Sequence, residues 1–322
     1  MTAKKRNGFT IAFIVCIAVL AYLLNESYRI VAFNTTNNVD QSRSGFAVLT
    51  FNVDASDSTT FSAVKQNRLL DIVRNESADV LCFQELSFVN LKKIKSQLDS
   101  IYGLCEILKG DDQLWRLRLY SGYPLRNFRR YKCEGEIDTT GFNNEEVAFV
   151  KSLQRQMNVM SAEFEIEPDR WVTFFSGHLR SSAYSTARRS MDKDASWFEG
   201  ISLYKRNYDV GKRIRDYEAE NVRRFVDEVR AEGKPVIVAG DLNDWCGSDC
   251  LNTLMGLSGP RDELKDAWWE GGNGFGRTYF GWHLRIRLDH ILYSDELELV
   301  DVKVIDTDLS DHKPLMARFR LK

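Results

Sequence analysis

The sequence predicts an α/β fold in which two β-sheets pack face to face and helices cover their outer surfaces. Three observations carry this prediction. Apolar strand-like segments alternate with amphipathic helical segments at the start of the domain, several middle segments alternate apolar and polar residues as antiparallel strands do, and the chain ends in further strands. The 322 residues are 43% hydrophobic and 28% charged, a balance that supports a globular domain with a substantial core.

The predicted elements can be placed in order along the chain. The segment FAVLTF at 46–51 is apolar almost throughout and predicts a buried strand. A helix with apolar residues from Val64 to Val73 follows it, and a longer amphipathic helix is predicted at 212–231. A further helix is predicted at 88–98. The remaining predicted strands are 79–84, 114–120, 146–152, 158–166, 171–176, 235–239, 284–293, 298–305 and 315–321.

Residues 1–25 have the pattern of a membrane anchor or a signal segment. Three basic residues, Lys4, Lys5 and Arg6, precede an uncharged apolar run of 17 residues from Gly8 to Leu24. This length is at the lower limit for a helix that spans a bilayer. No clear small-x-small cleavage site follows, so the sequence favours an uncleaved single-pass transmembrane helix over a cleaved signal peptide. The basic residues predict a domain facing outside the cytoplasm, or a secreted domain if the segment is cleaved.

Residues 26–45 are rich in Asn, Thr and Ser and lack helical periodicity, which predicts a linker, and residues 46–322 form one domain without an internal repeat. The formal net charge of −2 argues against tight, sequence-independent binding of DNA. However, residues 178–215 contain nine Lys or Arg and four Asp or Glu. This basic stretch suits either a solvated helical face or an edge that attracts an anionic substrate.

The chain contains six cysteines, none of them in a C-x-x-C pair, so a structural zinc site is not expected. Cys82 lies in an apolar segment and is predicted to be a small buried hydrophobic residue. If the domain faces an oxidising space, four others could pair in three different ways, and the sequence leaves the choice open. These candidates are Cys105, Cys133, Cys246 and Cys250.

Polar residues with carboxylate, amide or imidazole side chains follow the apolar strands where these strands end. Each has an ordinary explanation when taken alone, such as a turn or a helix cap. Their recurrence between residues 52 and 312 instead favours one shared site at an edge of the sheets. These residues are Asn52, Glu85, His178, Asp241, Asn243, Asp289, His290, Asp311 and His312.

The segments around these residues resemble the motifs of the endonuclease/exonuclease/phosphatase family. SDH near the carboxyl end together with GDxN after an apolar strand is a specific combination, and the similarity spans residues 46–322. The resemblance implies a four-layer, DNase I-like α/β sandwich of two mixed sheets with outer helices. The matching segments are LTFNV at 49–53, DVLCFQE at 79–85, SGHL at 176–179, VAGDLND at 238–244, RIRLDHIL at 285–292 and LSDHKPL at 309–315.

The residue chemistry and the resemblance together suggest a metal site that serves phosphoryl transfer. Glu85 offers a hard carboxylate for Mg²⁺, or for Mn²⁺, and Asn52 and Asp311 are expected to support the metal. Asp241 is expected to orient and deprotonate the attacking water, with Asn243 holding the phosphate or the water beside it.

The histidines complete the predicted machinery. His178 and His312 are expected to donate to the charge that develops on the phosphate. Asp289 is expected to hold His312 in the correct tautomer. His290 is predicted to be structural, and His283 is predicted to lie in a loop near the site.

The sequence therefore predicts a metal-dependent hydrolase of phosphate esters, most simply a phosphodiesterase directed at nucleic acid or lipid. The alternatives are a phosphomonoesterase acting on a soluble phosphorylated metabolite and a binding module without catalysis, although every motif position holds a suitable residue. The segment HLRSS at 178–182 lacks the Tyr and Asn expected nearby in abasic-site enzymes. Expected partners are the phosphate ester and, through the N-terminal helix, a membrane, and no obligate protein partner is inferred.

Overall fold

A computed structural model describes residues 45–57, 59–102, 116–181, 197–260, 263–281 and 285–322, without the side chains of 197–205 and 207. The predicted anchor at 1–25 and all of the predicted linker except Gly45 lie outside this part of the chain, as do Cys105 and His283. Among the helices of the described residues, none has the length and apolar character needed to cross a bilayer.

The described residues form eleven strands and six helices. The strands are β1 (Phe46–Ala55), β2 (Val80–Leu86), β3 (Arg118–Ser121), β4 (Leu125–Arg130), β5 (Val159–Glu167), β6 (Arg170–His178), β7 (Val236–Asp241), β8 (Lys265–Asp266), β9 (Asp289–Tyr293), β10 (Leu297–Val304) and β11 (Leu315–Leu321). The helices are α1 (Ala63–Glu76), α2 (Phe88–Tyr102), α3 (Asn144–Leu153), α4 (Trp197–Ala231), α5 (Asp249–Met255) and α6 (Ala267–Gly271).

In the described part of the chain, these strands form two sheets, one of five and one of six strands. The first has the order β10-β11-β1-β2-β3, and the second has the order β4-β5-β6-β7-β9-β8. The neighbours β1 and β2 are parallel in the first sheet, and β6 and β7 are parallel in the second, while the other pairs are antiparallel. Both sheets are therefore mixed, which confirms the predicted fold class.

Alternation along the strands sorts apolar side chains into layers. Val48 packs between the sheets in one core cluster with Phe174 and Ile237. The next residue, Leu49, points the other way and packs against α1 and α2. On the far side, Val238 packs in a cluster with residues of α4 and α5. Because each fully buried large apolar side chain contributes about 1.5–3 kcal/mol, the three apolar layers hold a four-layer sandwich together.

The strand predicted at 146–152 is wrong, because these residues lie in helix α3. Alternation of apolar residues over so few positions also fits one face of a helix, and the helix start decides between the two. The Asn143 side chain accepts from the Glu146 backbone N–H at 2.9 Å, and Glu146 Oε2 accepts from the Asn143 backbone N–H at 2.8 Å. This capping box stabilises a helix that buries Val150 beside Ile214 of α4.

Several predicted boundaries also shift. Helix α4 begins at Trp197, well before the predicted start at 212. Strand β9 begins at Asp289 rather than at 284, because Ile286 forms an isolated bridge with Tyr279 instead of continuing the ladder. Of the strand predicted at 114–120, residues 114–115 lie outside the described residues, and β3 runs from Arg118 to Ser121.

Among the described residues, Cys82, Cys133, Cys246 and Cys250 are free. None of the possible disulfides among Cys133, Cys246 and Cys250 is therefore formed. Cys82 is buried between the sheets, as predicted, and burial raises the pKa of its thiol to about 12. A thiol with so high a pKa is a packing group rather than a nucleophile.

Gly240 allows β6 and β7 to approach closely just before the functional residues begin. It pairs with Gly177 in the parallel ladder, and a Cβ added at Gly240 would overlap the carbonyl oxygen of Gly177.

Gly240→Ala should therefore lower the free energy of unfolding by at least about 2 kcal/mol, measured by urea denaturation. Gly259→Ala is the matched control, since a Cβ there meets nothing within 4 Å. Equal stability of the two variants would contradict this account of the close approach.

Candidate active site

The predicted site residues meet where the ends of five strands converge. In the second sheet Asp241 of β7 is paired with His178 of β6 on one side and with Asp289 of β9 on the other. In the first sheet Asn52 of β1 is paired with Gln84 of β2, which directly precedes Glu85. The two sheets therefore present these polar side chains at a common end of the sandwich.

Asn52 joins the two sheets through hydrogen bonds to two carboxylates. Its Nδ2 donates to Glu85 Oε1 at 3.0 Å and to Asp241 Oδ2 at 2.9 Å. Its Oδ1 accepts from the Asp54 backbone N–H at 3.1 Å, and the residue is only 3% exposed. Both amide donors are thus used between carboxylates, so the main contacts of Asn52 position Glu85 and Asp241 relative to each other.

His312 and Asp289 form a buried pair beside Asp241. His312 Nδ1 lies 2.7 Å from Asp289 Oδ2, and His312 Nε2 lies 3.6 Å from Asp241 Oδ2. Burial alone would lower the pKa of His312, but the charges of Asp289 and Asp241 outweigh it and raise this pKa to about 10. The imidazole is therefore held protonated, with Nδ1–H on Asp289 and Nε2–H directed towards Asp241.

His178 approaches Asp241 from the other side. Its Nε2 lies 3.6 Å from Asp241 Oδ2 and 3.9 Å from Glu85 Oε1. Asn243 donates its backbone N–H to Asp241 Oδ1 at 3.1 Å and its Nδ2 to the Leu179 carbonyl at 3.0 Å, so one amide N–H remains for another acceptor. Asp241, at the end of β7, therefore sits between two imidazoles, and Asn243 closes the turn that follows it.

The carboxylates of Asp54, Glu85 and Asp311 form the more open half of the site. Glu85 adopts a positive φ of 55°, which is uncommon for a residue with a side chain and frequent at functional sites. Burial raises the pKa of Asp54, and the negative charges of Asp311 and Glu85 add to this effect. The positive charge of Lys65 opposes it without cancelling it. Three hard oxygen donors that repel one another suit a divalent cation such as Mg²⁺.

A second group of possible metal ligands lies deeper in the site. One ligand atom from each of Asp241, Asp289 and His312 lies within 4.8 Å of the others. His312 and Asp289 already satisfy each other by a hydrogen bond, and a nitrogen ligand suits zinc better than magnesium. The group around Glu85 therefore offers oxygen ligands alone, whereas this buried group includes an imidazole nitrogen.

The structure adds residues to the site that sequence reasoning missed. Ser56 donates to Glu85 Oε2 at 3.2 Å, and the Tyr279 ring centroid lies 5.0 Å from that of His312. Thr278 Oγ1 accepts the backbone N–H groups of Leu288 and Asp289, each at 3.1 Å. Ser56 lies shortly after Asn52 and could have been suspected from that spacing. Thr278 and Tyr279 lie in a loop without a periodic pattern, so no sequence signal indicates them.

His290 is buried away from the cluster, in agreement with the predicted structural role. Its Nδ1 lies 2.8 Å from Asp266 Oδ2, and its Nε2 lies 3.0 Å from the Asp244 carbonyl oxygen. Arg287 joins the same group, with its Nη1 2.9 Å from His290 Nδ1. His290 therefore packs behind the loop that carries Asp241.

Residues 49–312 match the model of the Endonuclease/Exonuclease/phosphatase family, which covers most of the chain. The chain belongs to this family. Curated relatives are UPF0294 proteins of two strains of Vibrio cholerae, each 30% identical over 177 residues, or 55% of this chain and 56% of the relative. The matched region thus spans about half the length of these relatives.

Solved structures share the fold at low sequence identity. An endonuclease/exonuclease/phosphatase from Bacteroides vulgatus has a TM-score of 0.62 at 16% identity and covers 87% of this chain and 100% of that chain. TDP2 from D. rerio, complexed with a single-strand DNA product, has a TM-score of 0.56 at 16% identity and covers 86% and 99%. These matches confirm the DNase I-like fold.

The raised pKa of His312 should make the stability of the metal-free protein depend on pH. Unfolded histidine loses its proton near pH 6.5, whereas folded His312 keeps it to about pH 10, so the pair with Asp289 stabilises most below pH 6.5 and loses this effect towards pH 10. Asp289→Asn should therefore lower the free energy of unfolding by about 2 kcal/mol near pH 6, and by less near pH 10. Urea denaturation in EDTA measures both values.

Asp308→Asn is the control for this experiment, because Asp308 lies on the loop that carries His312 and its side chain is 83% exposed. Its effect on stability should be small and equal at the two pH values. A pH-independent effect of Asp289→Asn would show that the pair does not hold His312 protonated.

Proposed function

We propose that this chain is a divalent-metal-dependent phosphodiesterase that hydrolyses nucleic acid or lipid phosphodiesters. The observation that carries the proposal is the convergence of acids, imidazoles and amides from both sheets on Asp241. Asn52 and His178 approach its carboxylate from one side and His312 from the other, at 2.9–3.6 Å. The D. rerio TDP2 structure, which contains a single-strand DNA product, supports a nucleic acid as one substrate class.

In this proposal Glu85 and Asp311 hold the metal, with Asp54 and the amide oxygen of Asn52 in support. Bound there, Mg²⁺ or Mn²⁺ would neutralise charge on the phosphate and lower the pKa of a water ligand. Glu85 is suited to this role because its side chain is 31% exposed, whereas Asp241 and Asp289 are buried.

The remaining side chains act on the ester and on the water. Asp241 accepts a proton from the attacking water, and the remaining amide N–H of Asn243 binds a phosphate oxygen. His178 and His312 donate from Nε2 to the oxygens on which negative charge develops. Asp289 keeps His312 protonated and fixes the direction of its Nε2–H through the 2.7 Å contact.

The charge of the site favours a diester over a monoester. No Lys or Arg in the described part of the chain is bonded to Glu85, Asp241 or Asp289, and the basic side chains within 4 Å of these acids are the imidazoles of His178 and His312. A phosphomonoester carries close to two negative charges at neutral pH, whereas a diester carries one. A site rich in carboxylates repels the singly charged ester less.

Bis-p-nitrophenyl phosphate tests the proposed activity directly. The full chain, purified in detergent, should release p-nitrophenol in Mg²⁺ and lose this activity in EDTA. Glu85→Ala and His312→Ala should each lower kcat by at least about 100-fold, because they remove a metal ligand and a proton donor. The monoester p-nitrophenyl phosphate should be the poorer substrate.

Asp71→Ala is the matched control, since Asp71 is an exposed acid on α1, paired with Arg74 and placed outside the site. It should keep the activity of the unaltered protein. Activity that survives Glu85→Ala or His312→Ala would show that the roles are misassigned. Binding of diesters without hydrolysis would favour the non-catalytic module, and parallel assays with DNA, sphingomyelin and inositol phosphates would identify the substrate.

We also propose that residues 1–25 anchor the enzyme in a membrane with its domain outside the cytoplasm. The full chain should then sediment with membranes and resist extraction by alkaline carbonate. A chain lacking residues 1–25 should remain in the soluble fraction, because the apolar run is the proposed anchor. Recovery of the full chain in the soluble fraction would contradict the anchor.

A further inference from the structure

Buried charged residues lie directly behind the loops that follow His178 and Asp241, and the proposed reaction does not use them. The group extends from α4 through the loop after β7 to β8 and β9, and each member is at most 5% exposed. Its members are Glu218, Arg215, Asp244, His290, Arg287 and Asp266.

Two side chains of α4 hold the loops after β6 and β7 at the same time. Arg215 Nε donates to Asp244 Oδ2 at 3.1 Å, and Arg215 Nη1 donates to the Arg180 carbonyl at 3.1 Å. Glu218 Oε2 accepts the Arg180 backbone N–H at 2.8 Å. One guanidinium and one carboxyl group therefore fix Arg180, two residues after His178, and Asp244, three residues after Asp241.

Asp244 is held from its other side as well. Its carbonyl oxygen lies 3.0 Å from His290 Nε2, and its Oδ1 accepts the Trp245 backbone N–H at 3.1 Å. The two loops are also bonded to each other, because the Leu179 N–H donates to the Asp241 carbonyl at 3.0 Å. A shift of either loop would therefore break several hydrogen bonds in the buried group.

A buried ionic contact is an expensive way to attach a helix to a sheet. Replacing such a contact by apolar residues is often neutral or stabilising. Further along, α4 attaches to the second sheet by apolar packing of Val222 and Val226. Among the described residues, Arg215 Nη2 is buried without a hydrogen-bond partner, a further cost. Apolar packing is not directional, whereas the hydrogen bonds to Asp244 and Arg180 fix the positions of these two residues.

We propose that Arg215 and Glu218 are positioning residues that set the separation between His178 and Asp241. The proposal rests on the proposed function, because that separation matters only if both residues act on one ester. A displacement of about 1 Å in a catalytic group can lower the rate by 100-fold. We call the hydrogen bonds from Arg215 and Glu218 to Arg180 and Asp244 the clamp. Loss of the clamp should therefore lower kcat far more than it changes KM.

Paired substitutions in the full-length protein test the clamp. Arg215→Met and Glu218→Leu should each lower kcat for bis-p-nitrophenyl phosphate by roughly 10–100-fold, with KM changed less than about twofold. Glu218→Gln should keep at least half of kcat, because its amide oxygen still accepts the Arg180 N–H. Burial raises the pKa of Glu218 to about 7, so a neutral side chain is already tolerated there.

Arg223→Met is the matched control. Arg223 is also fully buried on α4, but it donates to Asp227 at 2.8 Å and to the Leu254 carbonyl at 3.1 Å, away from the active-site loops. This substitution should lower the thermal unfolding midpoint without lowering kcat per folded molecule. The folded fraction of each variant is measured by circular dichroism before assay.

The outcomes separate the clamp from the proposed activity. If Arg215→Met lowers kcat no more than Arg223→Met at equal folded fraction, or if Glu218→Gln is as impaired as Glu218→Leu, the clamp is wrong. If the unaltered protein hydrolyses no phosphate ester, the proposed function fails. The ring ¹⁵N shifts of His178 then decide on the clamp, because they should move in Arg215→Met and not in Arg223→Met.

Discussion

The separation of the two sheets at the active-site end depends on one buried amide. Asn52 of the first sheet donates to Glu85 beside it and to Asp241 of the second sheet. Two carboxylates 4–8 Å apart repel each other by roughly 2–4 kcal/mol at an effective dielectric constant of about 20. Each hydrogen bond to a charged group contributes about 1.5–3 kcal/mol, so the shared amide offsets this repulsion. The close approach of Glu85 to Asp241 follows from that balance.

The site is divided electrostatically around Asp241. On one side, Asp54, Glu85 and Asp311 repel one another, and the repulsion contributes to the raised pKa of Asp54. On the other side, Asp289 holds a protonated His312. In the proposed function, an ester bound between the halves would meet the metal at the acids and N–H donors at the imidazoles. The same end of the sandwich thus has one region that attracts a cation and another that attracts an anionic oxygen.

The sequence was sufficient to predict the fold class and the strand ends that converge. An apolar run indicates a buried strand, and the polar residue after it marks the edge of the sheet where that strand ends. It was not sufficient for contacts between distant segments. Asn52 and Asp241 are 189 positions apart, and their hydrogen bond exists only because two sheets face each other. Likewise, Arg215 lies in a basic stretch that suits a solvated surface, yet it is fully buried in an ion pair with Asp244.

The prediction for the residues of helix α3 was wrong for a different reason. The alternating apolar residues at 146–152 indicate a strand, whereas the pattern Asn143-x-x-Glu146 signals a helix start. A short apolar run fits either period, and capping then decides the outcome. Thr278 and Tyr279 could not have been found at all, because a loop residue gains its neighbours only when the chain has folded around it.

The ladder register of β6, β7 and β9 places His178, Asp241 and Asp289 side by side on three adjacent strands. Adding or deleting one residue inside any of these strands would turn its functional side chain to the opposite face. Segments between the strands are under no such restriction. Evolution can therefore remodel the connecting loops, and with them the shape offered to a substrate, while the spacing inside the strands stays fixed.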